Sequence, residues 1–288
     1  MTAVPRLASV AYVRVAASEP AASARFASEV FGLEKVPSVN GEIAFRSDSR
    51  YRTLGLLDAE IPSSVGIELW DEADLTTAET ALAAKGFTAR RASADEARAR
   101  HAVAAALALD ASGNAIDLVV RPQQSGKRYF PSRDAGILGL HNVGLRSIAI
   151  ERDRAFWTAL GATNSGYVGE ITYLRIDDCH HRIALYPARR AGVLYAAFEV
   201  ESLDQIMQNN YFMQERQVRI VQGPGRQPAS GQIFLHVEGP DGMIYSYVHG
   251  MHRGPAPLHP PRQYSPSADS LCAWGSTSQG VPELGAAE

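Results

Sequence analysis

The chain of 288 residues has little cysteine, no excess of basic residues and no long apolar run. Its two cysteines, Cys179 and Cys272, are too few for a disulfide framework or a cysteine-based zinc site, and they fit a reducing compartment. A formal net charge of −3 argues against the basic face that nucleic acid or an anionic membrane would favour. No stretch approaches the ~20 apolar residues of a membrane-spanning helix. The N-terminus lacks the apolar core of a signal peptide, so we expect a cytoplasmic protein with neither partner.

A repeated pattern organises the rest of the chain. Residues 9–15 and residues 137–145 both read as short strands that lead into a helix, and the second copy has His141 where the first has Ala11. Each half continues with a second unit of the same kind, and its final strand pair is joined by a glycine-containing turn, at 110–114 and 238–242. A histidine present in only one copy indicates that the second half carries the chemistry.

This pattern predicts an α+β fold of four βαβββ modules, paired into two halves. We predict an N-terminal domain over residues 1–122 and a linker rich in Pro, Gly and Ser over 123–136. A C-terminal domain with the pocket follows over 137–250, and a Pro-, Ser- and Gly-rich tail over 251–288 is expected to pack near that pocket.

Several motifs in the second half resemble the vicinal oxygen chelate superfamily, and in particular the two-domain type I extradiol ring-cleaving dioxygenases. The matching stretches are Leu140-His141-Asn142-Val143, residues 178–185, Gly225-Arg226-Gln227-Pro228, Gly239-Pro240-Asp241-Gly242 and residues 270–275. The resemblance implies that the two halves are concave-sheet domains of that superfamily. It also implies that the N-terminal domain is non-catalytic.

The resemblance implies a metal site that this chain carries only in part. In the family two histidines and a glutamate hold Fe(II) or Mn(II). His141 matches the first histidine, whereas Tyr195 and Ser246 stand at the places of the second histidine and the glutamate. We therefore expect no metal cofactor, with His141 the only matched ligand. The alternative is an active Fe(II) or Mn(II) dioxygenase with a different ligand set, for example His141 with His236 and a carboxylate such as Glu199.

The remaining pocket residues favour proton transfer. His181 matches a family acid/base histidine, and His236 replaces a pocket tyrosine. Histidine is the side chain best suited to proton transfer near neutral pH. The expected catalytic residues are His181, His236, His141 and Tyr195, and the expected substrate-binding residues are Ser246, Tyr247, His180, Gln227 and Phe198.

Less specific interpretations stand beside these. His141 could be a hydrogen-bonded histidine of the core, and strand alternation would send His180 and His181 to opposite faces. Asp117 occupies, in the first half, the step equivalent to Ser246, but Ala11 and Gly66 offer it no companion ligand. Asp117 was therefore expected to be an ordinary polar strand residue.

Together these features predict an extradiol-dioxygenase-like enzyme that acts on a small phenolic, catechol-like or enol molecule. It would use histidine acid/base chemistry of the isomerase, hydratase or lyase type, without the usual metal. The alternatives are the metal-dependent dioxygenase and a small-molecule binding protein without turnover. By analogy with the family, a homo-oligomer is expected.

Overall fold

The computed structural model describes residues 3–37, 41–255 and 260–285. No helix within these residues has the length and apolar character needed to cross a bilayer. Two large mixed sheets account for most of the regular structure, one in each half of the chain.

The first sheet has eight strands among the described residues, in the order β2-β3-β4-β1-β5-β8-β7-β6. They are β1 (Leu7–Ala17), β2 (Glu34–Lys35), β3 (Ile43–Arg46), β4 (Leu54–Asp58), β5 (Ser64–Leu69), β6 (Ala89–Arg91), β7 (Ala102–Leu109) and β8 (Ala115–Pro122). Strands β1 and β5 pair antiparallel at the centre, and each pairs in parallel with the strand on its other side.

The second sheet repeats this arrangement and adds one strand, giving nine within the described part of the chain. They are β9 (Ile137–Ser147), β10 (Thr163–Val168), β11 (Ile171–Arg175), β12 (Ile183–Pro187), β13 (Gly192–Val200), β14 (Ile220–Arg226), β15 (Ile233–Glu238), β16 (Ile244–His249) and β17 (Arg262–Tyr264). The order is β14-β15-β16-β13-β9-β12-β11-β10-β17. Apart from β17, each strand has its counterpart in the first sheet, with β9 and β13 again antiparallel at the centre.

The helices are short. They are α1 (Pro20–Arg25), continued by a π-helical turn over Phe26–Phe31, then α2 (Glu72–Ala83), α3 (Ala94–Ala99), α4 (Ile150–Ala159), α5 (Leu203–Glu215) and α6 (Ala268–Leu271). Helices α2, α3 and α5 begin at side-chain caps. Asp71 caps α2 by accepting hydrogen bonds from the first turn, and the side chain of Asp74 accepts one from the backbone N–H of Asp71, which satisfies amide groups that have no helical partner. Gly32 ends the first helix at φ 104°, a conformation that favours glycine.

The longest helices pack on one face of each sheet, and one continuous hydrophobic core spans both halves. Phe31, at the end of the π-helical turn, inserts into the second half. Its ring stacks on Tyr247 at 4.2 Å between centroids and meets Phe198 edge-on at 5.3 Å. Phe87 and Phe156 make a second aromatic contact between the halves at 5.3 Å. The halves are therefore joined through their helical faces.

The predicted fold is confirmed, because the strand order is that of four βαβββ modules paired into two halves. The first sheet ends at Pro122 and the second begins at Ile137. The intervening segment is held in place, since Arg46 donates hydrogen bonds to the carbonyl oxygens of Lys127 and Arg128. The tail contributes β17 to the second sheet and covers its other face. Residues 256–259 and 286–288 of the predicted tail lie outside the described residues.

Candidate functional site

The face of the second sheet that lies away from the helices, here called the concave face, carries most of the predicted site residues. Strand pairing places Ala197 of β13 opposite Asn142 of β9 on one side and opposite Ser246 of β16 on the other. Ser246 in turn pairs with His236 of β15. Because alternate residues of a strand share a face, Tyr195 also belongs to this surface. Asn142, Tyr195, Ala197, Ser246 and His236 therefore form one row across the middle of the sheet.

His236 is the best-positioned imidazole of this row. Its Nδ1 makes a short hydrogen bond with the hydroxyl of Ser246. Its ring stacks on Phe234 at 4.5 Å and lies 5.7 Å from the ring of Tyr195. Burial lowers the pKa of His236 to about 3, because the charged form would lose its hydration. The imidazole is therefore neutral at physiological pH.

Three tyrosines continue the row along the concave face. Tyr195, Tyr186 and Tyr173 are buried and share hydrogen bonds between neighbouring hydroxyls. Gln227 donates from Nε2 to the hydroxyl of Tyr173 at 2.7 Å, and Ser230 donates to the other end of the Gln227 amide. Burial raises the pKa of Tyr186 to about 12, so its phenol is protonated. The tyrosines therefore act as a chain of neutral hydrogen-bond donors and acceptors.

His180 and His181 lie together at the other end of this chain. Their Nδ1 atoms are 3.2 Å apart, and the ring of His181 lies 4.8 Å from that of Tyr173. The expectation that they point to opposite faces is wrong, because both precede β12, in a loop where strand alternation does not apply. Burial, with the positive charge of neighbouring groups, holds the pKa of His181 well below its usual value. The Nε2 atom of His181 is buried and has no hydrogen-bond partner among the described residues.

His141 lies beside the row rather than in it. The pairing of β9 with β13 shifts by one residue between Leu140 and Asn142, so His141 is a bulge residue without a partner of its own on β13. The Asn142 amide contacts Nδ1 of His141 at 2.8 Å, and Nε2 lies 3.9 Å from the sulfur of Cys179. The concave position next to Ala197 is thus taken by Asn142. Its amide also donates to the side chain of Gln232.

Two predicted substrate-binding residues face the other way. Phe198 and Tyr247 belong to the helical face, where both contact Phe31. The Tyr247 hydroxyl donates to the carbonyl oxygen of Phe31 at 2.6 Å and accepts from Arg133 at 2.7 Å. The expectation that they line the pocket is corrected, because each follows a concave-face residue directly and alternation sends it to the opposite face.

The histidine–tyrosine patch, defined as Tyr173, Tyr186, Tyr195, His181, His236, Ser246 and Gln227, is closed off from solvent. Its members are at most 8% exposed. The C-terminal segment from Arg262 to Leu284 covers it, with Leu271, Cys272, Val281 and Leu284 packed in the same apolar cluster as Tyr195 and Phe234. An ion pair of 2.8 Å between Arg146 and Glu283 fastens the end of this segment to β9. A ligand can reach the patch only if the segment moves.

The donor set of the row does not fit Fe(II) or Mn(II) as two imidazoles and a carboxylate do. The row presents an amide, a phenol, a hydroxyl and the imidazole of His236, but no carboxylate, and Nδ1 of that imidazole is already bonded to the hydroxyl. Within the described residues, one group of potential ligands comes close together, namely Asp177, Asp178 and Cys179. Asp177 pairs with Arg182, and Asp178 lies 3.8 Å from Arg253. Burial raises the pKa of Cys179 to about 12, so in the metal-free protein this group is a thiol.

The equivalent row of the first sheet holds a charged cluster around Asp117, which the sequence did not predict. Gly66 pairs with Tyr12 and with Asp117, as Ala197 pairs with Asn142 and Ser246. Asp117 accepts hydrogen bonds from the hydroxyls of Tyr12 at 3.0 Å and Ser64 at 2.8 Å. The sequence would have indicated that Tyr12 lies beside Asp117 if Tyr12 were aligned with Asn142, instead of Ala11 with His141.

Residues 139–245 match the model of the Glyoxalase/Bleomycin resistance protein/Dioxygenase superfamily. The match lies entirely in the second half of the chain. A search of curated proteins with the whole sequence finds no match. The likeness in sequence to this superfamily therefore rests on the family model over these residues.

Solved structures extend the likeness, in fold, to nearly the whole chain. An extradiol ring-cleaving dioxygenase from B. fuscum superposes with a TM-score of 0.87 at 18% identity, covering 99% of this chain and 83% of that one. Homoprotocatechuate 2,3-dioxygenase from Arthrobacter globiformis gives 0.84 at 19%, covering 99% and 92%. A Mn(II)-bound glyoxalase from Novosphingobium aromaticivorans gives 0.84 at 18%, covering 99% and 96%. At this identity the likeness establishes the fold, which is that of the extradiol dioxygenases.

Gly144 of β9 makes room for the ring of Tyr195. A Cβ placed on Gly144 would lie 2.3 Å from the Tyr195 ring, which is far closer than atoms can approach. We therefore expect Gly144→Ala to lower the free energy of unfolding by about 1–3 kcal/mol, the usual cost of overpacking a core. Urea denaturation measures this. The double variant with Tyr195→Leu should recover part of the loss, and an equal loss in both would contradict this position of the Tyr195 ring.

Proposed function

We propose that the protein is a metal-independent enzyme that acts on a small phenolic or enol-like molecule at the histidine–tyrosine patch. The observation that carries the proposal is that two neutral imidazoles and three phenols share one buried surface at the centre of the superfamily domain. A proton-transfer reaction such as keto–enol isomerisation needs a group that accepts a proton, one that returns it and donors that stabilise an oxyanion. The patch supplies each of these without a cofactor.

His181 is the proton acceptor in this proposal. Its Nε2 is the one ring nitrogen of the patch that is buried without a hydrogen-bond partner within the described residues. Its Nδ1 is held by His180, which fixes the ring orientation. A neutral imidazole can take a proton from an enol hydroxyl or from a carbon next to a carbonyl group. The proton is returned to the other position of the substrate, so the reaction needs no oxidant or reductant.

His236 and Tyr195 are the groups that stabilise the oxyanion. If Ser246 donates to Nδ1 of His236, the ring proton lies on Nε2 and can be donated to a substrate oxygen. A neutral imidazole with a depressed pKa serves this purpose, because it donates a hydrogen bond without transferring its proton completely. Tyr195 adds a phenolic donor 5.7 Å from the His236 ring centre. The substrate would lie over these groups after the C-terminal segment moves aside.

A second function, binding without turnover, is favoured by the low pKa values of the imidazoles. Burial holds the pKa of His181, the proposed base, well below its usual value, whereas general bases work best with a pKa near the operating pH. If burial persists in the complex, the patch would hold a phenol by hydrogen bonds and release it unchanged. Turnover and binding are therefore measured together.

The test uses the purified full chain with a panel of catechols, phenols and enol-forming 2-oxo acids. We expect exchange of solvent deuterium into a 2-oxo acid, followed by NMR, to fall by about 10²-fold or more in His181→Gln and His236→Gln. The control is His249→Gln, whose imidazole contacts the carbonyl oxygen of Val200 outside the patch. Exchange that is equal in all variants would contradict the proposal.

Metal analysis separates the remaining alternatives. If the protein holds about one iron or manganese per chain and consumes dioxygen with a catechol, it is a dioxygenase with a different ligand set, and the proposal is wrong. If calorimetry shows phenol binding that His236→Gln weakens, but no exchange occurs, the protein is a binding protein. Exchange that persists after treatment with a chelator supports the metal-independent reaction.

A further inference from the structure

The first half of the chain contains a cavity of about 840 Å³ at the end of its sheet where β5 and β8 begin. This volume lies within the range of small-molecule sites. The wall includes Arg14, Ser64 and Asp117 from the concave face of the first sheet and Arg152 from α4. The cavity is thus remote in sequence from the histidine–tyrosine patch and shares no residue with it.

The charge of the wall is unbalanced. Four arginines and two aspartates line the cavity, and Arg90 is paired with Glu96 just outside the wall, so Arg14 and Arg152 are the guanidinium groups left short of a counter-charge. The aspartates do not offset Arg14, because Asp117 pairs with Arg100 at 2.8 Å. Asp110 accepts hydrogen bonds from Asn114 instead. An anion would supply the missing charge.

Arg14 is the group best placed to hold that anion. Its side chain is only 10% exposed. Its one ion pair is with Glu42, at 3.3 Å through Nε, and Glu42 also takes closer contacts from Arg52 at 2.6 and 2.9 Å. One carboxylate therefore serves two buried guanidinium groups. The two Nη nitrogens of Arg14 make no hydrogen bond within the described part of the chain, although a planar guanidinium is suited to hold a carboxylate through two of them.

The rest of the wall is apolar and partly open to solvent. Ile61 and Leu109 are 43% and 56% exposed, although both are large aliphatic side chains. Phe87 lies behind them, with the guanidinium of Arg152 over its ring at 4.8 Å. No ion pair of Arg152 is found within the described residues. A ligand with an apolar body would cover the exposed aliphatic surface, whereas an inorganic anion would leave it in water.

We propose that this cavity binds a small organic acid, with its carboxylate on Arg14 and its aromatic or aliphatic body against Ile61, Leu109 and Phe87. The buried arginines support the proposal energetically. Burying a guanidinium without full compensation costs several kcal/mol of hydration, which a bound carboxylate would offset. The site is independent of the function proposed above, since it shares no residue with the histidine–tyrosine patch.

Isothermal titration calorimetry of the full chain with benzoate, phenylacetate and hexanoate tests the proposal. At least one should bind with a stoichiometry of one per chain, and the affinity should fall as salt is raised, because the contact is ionic. Benzamide has the same shape without the charge and should bind at least about tenfold more weakly. Failure of all three acids to bind would overturn the proposal. So would inorganic phosphate binding as tightly as the best acid, because the apolar wall would then contribute nothing.

Three variants locate the site. Arg14→Met should weaken binding at least about tenfold, the effect of losing about 1.4 kcal/mol, while Glu42 keeps its ion pair with Arg52. Ala111→Trp should also weaken it by filling the cavity from an exposed loop without changing its charge. His236→Gln should leave the affinity unchanged. Thermal unfolding of each variant checks that it is folded. Binding that survives both cavity variants, or that His236→Gln abolishes, would overturn the assignment.

Discussion

Replacing Glu42 by glutamine should lower the free energy of unfolding by about 3–5 kcal/mol, the usual cost of breaking a buried ion pair from one side. Glu42 is 5% exposed, and it contacts Arg52, which is 3% exposed, and Arg14, which is 8% exposed. A neutral amide would leave two buried guanidinium groups without a counter-charge. Gly55 lies directly beneath the carboxylate, so there is no room for the glutamine to rotate away from them.

The matched control is Glu72→Gln. Glu72 also pairs with an arginine, Arg121, at 3.0 Å, but their side chains are 56% and 67% exposed. Exposed pairs of this kind contribute about 0–1 kcal/mol. Chemical denaturation of both variants gives the comparison. Equal losses in the two would show that Glu42 is not the counter-charge of the buried arginines.

The second large effect is a loss of stability in acid. Burial lowers the pKa values of His141, His181 and His236, that of His236 to about 3. In the unfolded chain these histidines have pKa values near ~6.5. Between pH 6.5 and pH 3 the unfolded state therefore binds protons that the folded state does not. Each such histidine contributes stability that is present above pH ~6.5 and is lost by about 1.4 kcal/mol per pH unit below it.

Two carboxyl groups oppose this trend. Burial raises the pKa of Asp110 to about 6 and also raises that of Asp241. A raised carboxyl pKa means that the folded state takes up its proton first, so these groups regain stability as the pH falls. Three histidines against two carboxyls leave a net loss of at least about 1.4 kcal/mol per pH unit between pH 6 and pH 5.

Urea denaturation at several pH values between 7.5 and 5 measures the slope. His236→Gln should reduce it by about 1.4 kcal/mol per pH unit, because one proton-linked group is removed. His249→Gln is the matched control, since that imidazole lies at the rim of the sheet and keeps contact with a backbone carbonyl oxygen. An unchanged slope in His236→Gln would show that His236 is hydrated and titrates normally in the folded protein.

Periodicity and repetition predict most of the fold. Apolar alternation, glycine turns and the repeat of strand and helix in each half suffice for the βαβββ modules, because these signals are local. The additional strand β17 was not predicted, since its pairing with β10 depends on a partner about a hundred residues earlier. Its three residues, Arg262 to Tyr264, carry no apolar alternation of their own.

The site was harder to predict because single-residue shifts decide which side chain faces inward. The bulge at His141 places Asn142, rather than His141, opposite Ala197. A bulge leaves no clear mark in the sequence. Tyr195, Ser246 and His236 lie on regular strands, where alternation alone brings their side chains to one face. Alternation failed for His180 and His181 because they lie just outside a strand.

The charged cluster of the first half was missed for a different reason. Its members come from β1, β5, β8 and the loops near Glu42 and Arg100, and they are far apart in sequence. Arginine and glutamate at such positions look like surface residues, because charged side chains are seldom buried. Only the three-dimensional fold shows that Arg14, Arg52 and Glu42 share one interior site.

The position of Phe31 has a consequence for how the molecule assembles. Its ring belongs to the first half but completes the core of the second, between Phe198 and Tyr247. A second half synthesised alone would expose those aromatic side chains, and a first half alone would leave Phe31 without the rings on which it packs. The repeats are therefore not interchangeable building blocks. Native packing of the later half has to wait for the earlier one, so the pair forms a single cooperative folding unit.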